Sequence, residues 1–181
     1  MKINMSKRTK WITRTAVLTA LLVVMQFAAS LSGNQIVTGS VVNMMLILSV
    51  MTGSLSTGLT VAAISPVMAK LIGIGPLWGL IPFIIAGNMA LVLIWHLIGK
   101  RKTGNIYIAR IIALITATTV KFLVLYTGIV LVAVPYLLRL PEKQAAVIST
   151  MFSFTQILTA SIGGIVAILA LTAIDRAVKR E

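Results

Sequence analysis

Six apolar runs, each near the length of a membrane-spanning helix, constrain this chain more than any other feature of its sequence. They cover residues 11–30, 36–51, 55–73, 79–99, 106–134 and 148–174. A helix needs roughly 20 apolar residues to cross a hydrocarbon core about 30 Å thick. Only 10% of the 181 residues are charged, which is too few for the surface of a soluble domain. The sequence therefore predicts an all-α integral membrane protein, in which residues 1–181 form a single bundle of six transmembrane helices.

The basic residues predict how this bundle is oriented. The net charge is +13, and most of the Lys and Arg side chains fall in three groups outside or at the edges of the apolar runs. These groups are Lys2, Lys7, Arg8, Lys10 and Arg14; Lys100, Arg101, Lys102 and Arg110; and Arg176, Lys179 and Arg180. Cytoplasmic loops of membrane proteins are enriched in Lys and Arg. We therefore expect both termini in the cytoplasm of a prokaryotic cell, with the chain crossing the cell membrane several times. The positive charge then faces anionic membrane lipids rather than nucleic acid.

An alternative interpretation of the first apolar run is a cleavable signal peptide that ends at Ala28-Ala29-Ser30. Cleavage would leave five helices and an external N-terminus, with the basic groups still inside. We favour the six-helix interpretation because cleavage leaves the bundle one helix short.

The sequence lacks the residue patterns of common enzymes. It has no cysteine and a single histidine, His96, and it contains no Walker A, H-E-x-x-H or G-x-S-x-G motif. No pair of carboxylates lies in an apolar run, so candidates for acid–base catalysis or proton coupling are missing. We expect no enzymatic activity, no cofactor and no metal site.

Polar side chains do occur inside the apolar runs, and they fall at a similar depth. At about 1.5 Å of rise per residue, each predicted helix carries one of them in its outer half. These residues are Gln26, Asn43, Lys70, Asn88, Lys121 and Gln156. Polar groups in a membrane usually face the bundle interior or a hydrated cavity. The pattern indicates an outward-facing binding site, and the alternative for each residue is a local hydrogen bond between helices.

The two lysines and the loops refine this prediction. Neither Lys70 nor Lys121 has an acidic partner in an apolar run, so each must reach the surface, lose its proton or meet an anionic or carbonyl-rich partner. Asn34 and Trp78 lie in uncharged, glycine-rich loops that could cover the site. Trp78 is either a ligand contact or an interfacial anchor. We include both loop residues, with the six polar residues, among the substrate-binding candidates.

Small residues mark two possible helix contacts. Ala16 and Ala20 form a small-x-x-x-small pair, which allows another helix to approach closely, either a partner's helix or one from the same bundle. In the last apolar run a stripe of small and polar residues recurs at helical spacing, and it indicates either close packing or a cavity wall. The stripe consists of Ser149, Ser153, Gln156, Thr159 and Gly163.

These features together resemble the substrate-binding S component of energy-coupling factor (ECF) vitamin transporters. The resemblance covers the chain length, the six helices, the basic N-terminus and Ala16-x-x-x-Ala20. The stretches Thr38-Gly39-Ser40-Val41-Val42-Asn43, Ser65-Pro66 and Pro82-Phe83 to Gly87-Asn88 are similar to one subgroup of these proteins.

The resemblance implies an ABC importer in which this subunit binds a vitamin from outside. It implies that Ala16 and Ala20 dock on a hydrophobic coupling subunit and that two cytosolic ATPases supply the energy. The S component is expected to topple in the membrane to release its substrate. The subgroup indicates cobalamin as the ligand, followed by queuosine precursors, pantothenate or folate. The alternatives are a stand-alone secondary transporter or small channel for a polar metabolite, and a membrane anchoring protein without a ligand.

Overall fold

The computed structural model describes residues 6–101 and 105–178, and these residues form helices joined by short connections. The helices are α1 (Lys7–Ser30), α2 (Gln35–Thr52), α3 (Leu55–Leu71), α4 (Ile81–Ile94), α5 (Ile106–Leu125), α6 (Glu142–Met151) and α7 (Phe154–Val178). A 3₁₀ turn at Trp78–Leu80 precedes α4, and π-helical segments at Trp95–Gly99 and Tyr126–Leu138 extend α4 and α5. No β-strand occurs among the described residues.

Within residues 6–101 and 105–178, five helical segments are long and apolar enough to cross a membrane. They are Lys7–Ser30, Gln35–Thr52, Trp78–Gly99, Ile106–Leu138 and Glu142–Ala177, and the apolar helix Leu55–Leu71 is slightly shorter. The prediction of an all-helical chain is confirmed, and the helices are compatible with a multi-pass membrane protein. The cytoplasmic placement of the termini stays a prediction.

Local hydrogen bonds explain where several helices begin. Ser6, Asn34, Ser54 and Asn105 each precede a helix, and each accepts a hydrogen bond from a backbone N–H of its first turn. Such side chains satisfy donors that have no partner within the helix. The cap at Ser6 explains why α1 starts before residue 11, the predicted boundary.

The largest departures from the predicted helix boundaries lie in the C-terminal half of the chain. The fifth helix passes through Pro135 and ends at Leu138, where the prediction placed its end before the proline. A π-helical segment accommodates the missing N–H of proline, an adjustment seen in membrane helices. The last predicted helix, 148–174, is instead two helices that meet at Phe152 and Ser153.

Helix α2 lies at the centre of the bundle, where it contacts α1, α3, α4 and α7. A Cβ atom at Gly39 would lie 2.8 Å from Cγ2 of Thr159, and one at Gly163 would lie 2.8 Å from Cβ of Asn43. Thr159 and Gly163, which are the stripe's small residues on α7, therefore pack closely against α2, as the packing interpretation predicted. Ser149 lies in α6, and Ser153 lies between α6 and α7. Gln156, in the same stripe, lines a cavity. The stripe therefore contains residues that pack between helices and a residue of a cavity wall.

The antiparallel helices divide the bundle into two chemically different ends. The basic end contains the start of α1, the turn between α2 and α3, the start of α5 and the end of α7. Here the Lys100 ammonium donates to the Gly53 carbonyl over 3.3 Å, and Arg110 pairs with Asp175 at 2.6 Å. Arg110 lies inside α5 and is buried. Of the predicted basic groups, Lys2, Lys102, Lys179 and Arg180 lie outside the described residues.

Candidate functional site

A cavity of about 210 Å³ occupies the opposite end of the bundle, the cavity end. Its wall includes residues from α1 to α5, from the connection between α3 and α4, and from the junction of α6 and α7. The polar lining residues are Gln26, Gln35, Thr38, Asn43, Ser65, Asn88, Lys121 and Gln156. No acidic side chain is among the lining residues. The cavity wall therefore combines apolar surface with several polar groups and one basic residue.

Lys121 is the basic residue among those that line this cavity, and it is only 4% exposed. Its Nζ atom donates to Oδ1 of Asn43 over 2.6 Å and to Oδ1 of Asn88 over 2.7 Å. The three residues come from α5, α2 and α4, so tertiary packing alone brings them together. Two amide oxygens replace part of the hydration that the ammonium loses on burial. They carry no net charge, and no acid among the cavity-lining residues is placed to balance a proton on Lys121.

The cluster is supported by a second row of polar contacts on α7. The Asn43 amide nitrogen donates to Oγ1 of Thr159 over 3.4 Å, which leaves the Asn43 oxygen directed to Lys121. Gln156 donates through Nε2 to the backbone oxygen of Met151 over 2.9 Å. This bond bridges the break between α6 and α7 and holds Gln156 at the cavity wall.

Five of the eight predicted binding residues line this one cavity. They are Gln26, Asn43, Asn88, Lys121 and Gln156. The remaining three do not line it, and a local reason is visible for two of them. Asn34 is exposed and caps α2 by accepting from Ile36 N over 2.8 Å. Trp78 is 56% exposed in the 3₁₀ turn, which favours its interpretation as an interfacial anchor.

Lys70, the third of these residues, lies in the last turn of α3, where its side chain is partly buried. A cation in that position interacts favourably with the C-terminal end of the helix dipole. The following connection folds back on this turn, since a Cβ atom at Gly75 would lie 2.6 Å from Lys70 N. Through this turn, Ile74, Gly75 and Pro76 reach the cavity and cover part of it, as the glycine-rich sequence predicted.

Sequence reasoning missed Gln35, Thr38 and Ser65 as cavity residues. The Ser65 hydroxyl is the most informative of these because it is buried without a hydrogen-bond partner. Buried hydroxyls are usually paired, so this one stands out beside the cavity. Thr38 and Ser65 belong to stretches that carried the family resemblance, and that was the available signal.

Ala16 and Ala20 lie far from the cavity on an exposed face of α1. They border an open apolar groove between α1 and α3, together with Thr19, Ile64 and Met68. The structure therefore places the alanine pair at a surface open to another helix or to lipid, and not at a contact within the bundle.

Comparison of the chain with protein-family models, curated proteins and solved structures finds no match.

Proposed function

We propose that this chain is the substrate-binding membrane subunit of an ECF-type importer, and that the cavity receives a small water-soluble molecule from outside the cell. The observation that carries the proposal is the cluster of Lys121, Asn43 and Asn88 in a polar cavity of a largely apolar helical bundle. Polar groups buried in a membrane are costly and usually mark the path or site of a ligand.

The charge of the cavity favours an anionic ligand. An ammonium has three donors, and two of those on Lys121 are used by the asparagines. A carboxylate or phosphate oxygen could accept the third and would neutralise the site. The Ser65 hydroxyl and the glutamine side chains of the wall could then bind the amide or hydroxyl groups of the same molecule.

The cavity volume favours a small ligand. About 210 Å³ is below the range of roughly 300–1,000 Å³ that is usual for pockets of drug-sized ligands. Cobalamin and folate are larger than this space, so their binding would require the wall to move apart. Among the vitamins that the resemblance implies, pantothenate combines a small size with one carboxylate and one amide. Queuosine precursors are small but lack the carboxylate. We therefore place pantothenate-like carboxylates first.

The surface of α1 supports coupling to a partner. Ala16 and Ala20 present a narrow apolar face on which a helix of the coupling subunit could pack closely. The sequence has neither an ATP-binding motif nor a carboxylate in its six apolar runs, which fits a subunit that takes its energy from two cytosolic ATPases. In this proposal the basic end faces the cytoplasm and the cavity end faces outward.

The proposal is tested by purifying the chain from its native membranes and identifying both the proteins and the small molecules that remain bound. We expect one hydrophobic subunit, two ATPases and a small carboxylate, detected by mass spectrometry. A second experiment reconstitutes the chain alone in proteoliposomes and measures substrate uptake. Substrate uptake there without an ATPase would overturn the proposal in favour of a stand-alone transporter.

Docking is tested separately by Ala16→Leu with Ala20→Leu. The leucine side chains would prevent a helix of the coupling subunit from approaching α1 closely. We therefore expect loss of the ATPase complex and of transport, with ligand affinity within twofold of the parent. Ala28→Leu, at another exposed position of α1, is the matched control and should retain both activities. Loss of ligand binding in the double variant would instead assign the alanines to the stability of the bundle.

A further inference from the structure

A second concave surface lies at the basic end, between α1 and the turn that joins α2 to α3. We call it the basic groove; its volume is about 760 Å³. Its lining residues are Lys7, Lys10, Trp11, Thr13, Arg14, Val17, Leu18, Thr52, Gly53, Ser54 and Thr57. It is separate from the substrate cavity, since the two share no residue.

The spacing of the cations on α1 directs three of them into this groove. Lys7, Lys10 and Arg14 are separated by three and then four residues, so they lie on one face of the helix. Arg8 points elsewhere and does not line the groove. The positive charge is therefore focused on one surface rather than spread around the helix end.

A fourth cation adjoins this surface without an acid to balance it. Lys100 reaches the groove wall at the Gly53 carbonyl, and burial, followed by the charge of Arg14, lowers the pKa of the Lys100 ammonium. Among the described residues the acids are Glu142, in α6, and Asp175, which pairs with Arg110. Like charges held together in this way repel each other, and an anion between them would relieve the repulsion.

The same face of α1 changes from charged to apolar within one turn. Val17 and Leu18 line the groove beyond Arg14, and Leu21 and Val24 continue as exposed apolar side chains toward the middle of the helix. Trp11, a residue type enriched at membrane interfaces, stands beside the cations. A ligand that fits a basic surface followed by an apolar surface has an anionic group at one end and a hydrocarbon chain at the other.

We propose that the basic groove binds the phosphate group of an anionic phospholipid. Lys7, Lys10 and Arg14 donate to the phosphate oxygens, and an acyl chain lies along Val17 and Leu21. Arg and Lys bind phosphate through charge-assisted hydrogen bonds, which are stronger than those between neutral groups. This site does not depend on the transport function, because it shares neither residues nor ligand with the cavity.

The proposal is tested by native mass spectrometry of the full chain in detergent with added phosphatidylglycerol or phosphatidylcholine. We expect one retained phosphatidylglycerol under conditions that remove phosphatidylcholine. Lys10→Gln with Arg14→Gln should reduce its occupancy on the order of tenfold. Both side chains are exposed, so the variant should keep the thermal transition of the parent.

The matched control is Arg8→Gln with Arg176→Gln, which removes the same charge from exposed sites outside the groove. Equal losses in the two double variants would show general attraction to basic residues and would overturn the proposal. A parallel titration uses inorganic phosphate and glycerophosphoglycerol, which lack acyl chains. Displacement of the lipid by either at similar concentration would overturn the lipid assignment in favour of a free phosphate.

A protein occupant gives a different outcome. If the Lys10→Gln and Arg14→Gln variant keeps its lipid but loses the proteins that co-purify with the parent, the groove is a protein contact and the lipid proposal fails.

Discussion

Arg110 and Lys121 lie on the same helix and are both almost completely buried, but Arg110 has an acidic partner and Lys121 has neutral ones. At the basic end, Arg110 pairs with the carboxylate of Asp175 at 2.6 Å. At the cavity end, Lys121 meets only the amide oxygens of Asn43 and Asn88. The first pair is an acid and a base that balance each other. The second cluster contains a base without an acidic partner, and it lies in the wall of the cavity.

This difference separates a structural cation from one available for binding. An ion pair that is already formed gains little from a further anion. A cation surrounded by neutral oxygens still gains Coulomb energy when an anion arrives, because its charge has not been compensated. The comparison therefore predicts that substitutions at Lys121 change ligand affinity, whereas substitutions at Arg110 change stability.

The largest expected effect follows from Lys121→Met, which keeps the length of the side chain and removes its charge. We expect anionic ligand affinity to fall by about 3 kcal/mol, roughly 100-fold, because the charged donor is lost. Calorimetric titration measures the affinity, and thermal unfolding in detergent should show unchanged or higher stability. An affinity equal to that of the parent would show that the cluster only joins helices.

The next effect concerns Arg110→Met, which leaves Asp175 without its partner. We expect a loss of about 2 kcal/mol in stability, below the range for fully buried pairs because Asp175 is 46% exposed. Ligand affinity should stay within twofold. Asp175→Asn in the same background removes the orphaned carboxylate and should recover part of the thermal stability. A large loss of ligand affinity in Arg110→Met would contradict the division between the two cations.

Asn88→Asp gives Lys121 a carboxylate partner, which is the kind of partner that Arg110 has in Asp175. The new carboxylate would neutralise the cluster, so we expect anionic ligand affinity to fall on the order of tenfold or more. Asn88→Gln, which keeps the amide, is the neutral control for altered shape. Equal affinity in Asn88→Asp and the parent would rule out charge as the basis of recognition.

The smallest effect is expected for Ser65→Ala. Removing the unpaired hydroxyl should reduce affinity by about 1 kcal/mol, roughly fivefold, if the ligand is its missing partner. Ser40→Ala is a close control, because its hydroxyl is also buried and unpaired but does not line the cavity. Similar affinities in the two variants would remove Ser65 from the binding site.

Hydropathy predicted that the chain is helical and roughly where the helices lie, since membrane-length apolar runs leave few other structures possible. It did not predict the break between α6 and α7. The height of each polar residue along its helix was also predictable, because the rise per residue converts a position in the sequence into a distance along the helix axis. That is why Gln26, Asn43, Asn88, Lys121 and Gln156 could be assigned to one level before the fold was known.

Tertiary structure decided which of the polar residues face each other. Lys70 was predicted at the depth of Lys121, but its side chain does not line the cavity, and Asn34 caps a helix. In a soluble helix the apolar stripe shows which side is buried. In a membrane helix the lipid-facing and inward-facing sides are both apolar, so the sequence sets the height of a residue and leaves its direction around the axis to packing. The meeting of Lys121 with Asn43 and Asn88 depends on three such directions. The packing of α4 and α7 against both α2 and α5 determined them.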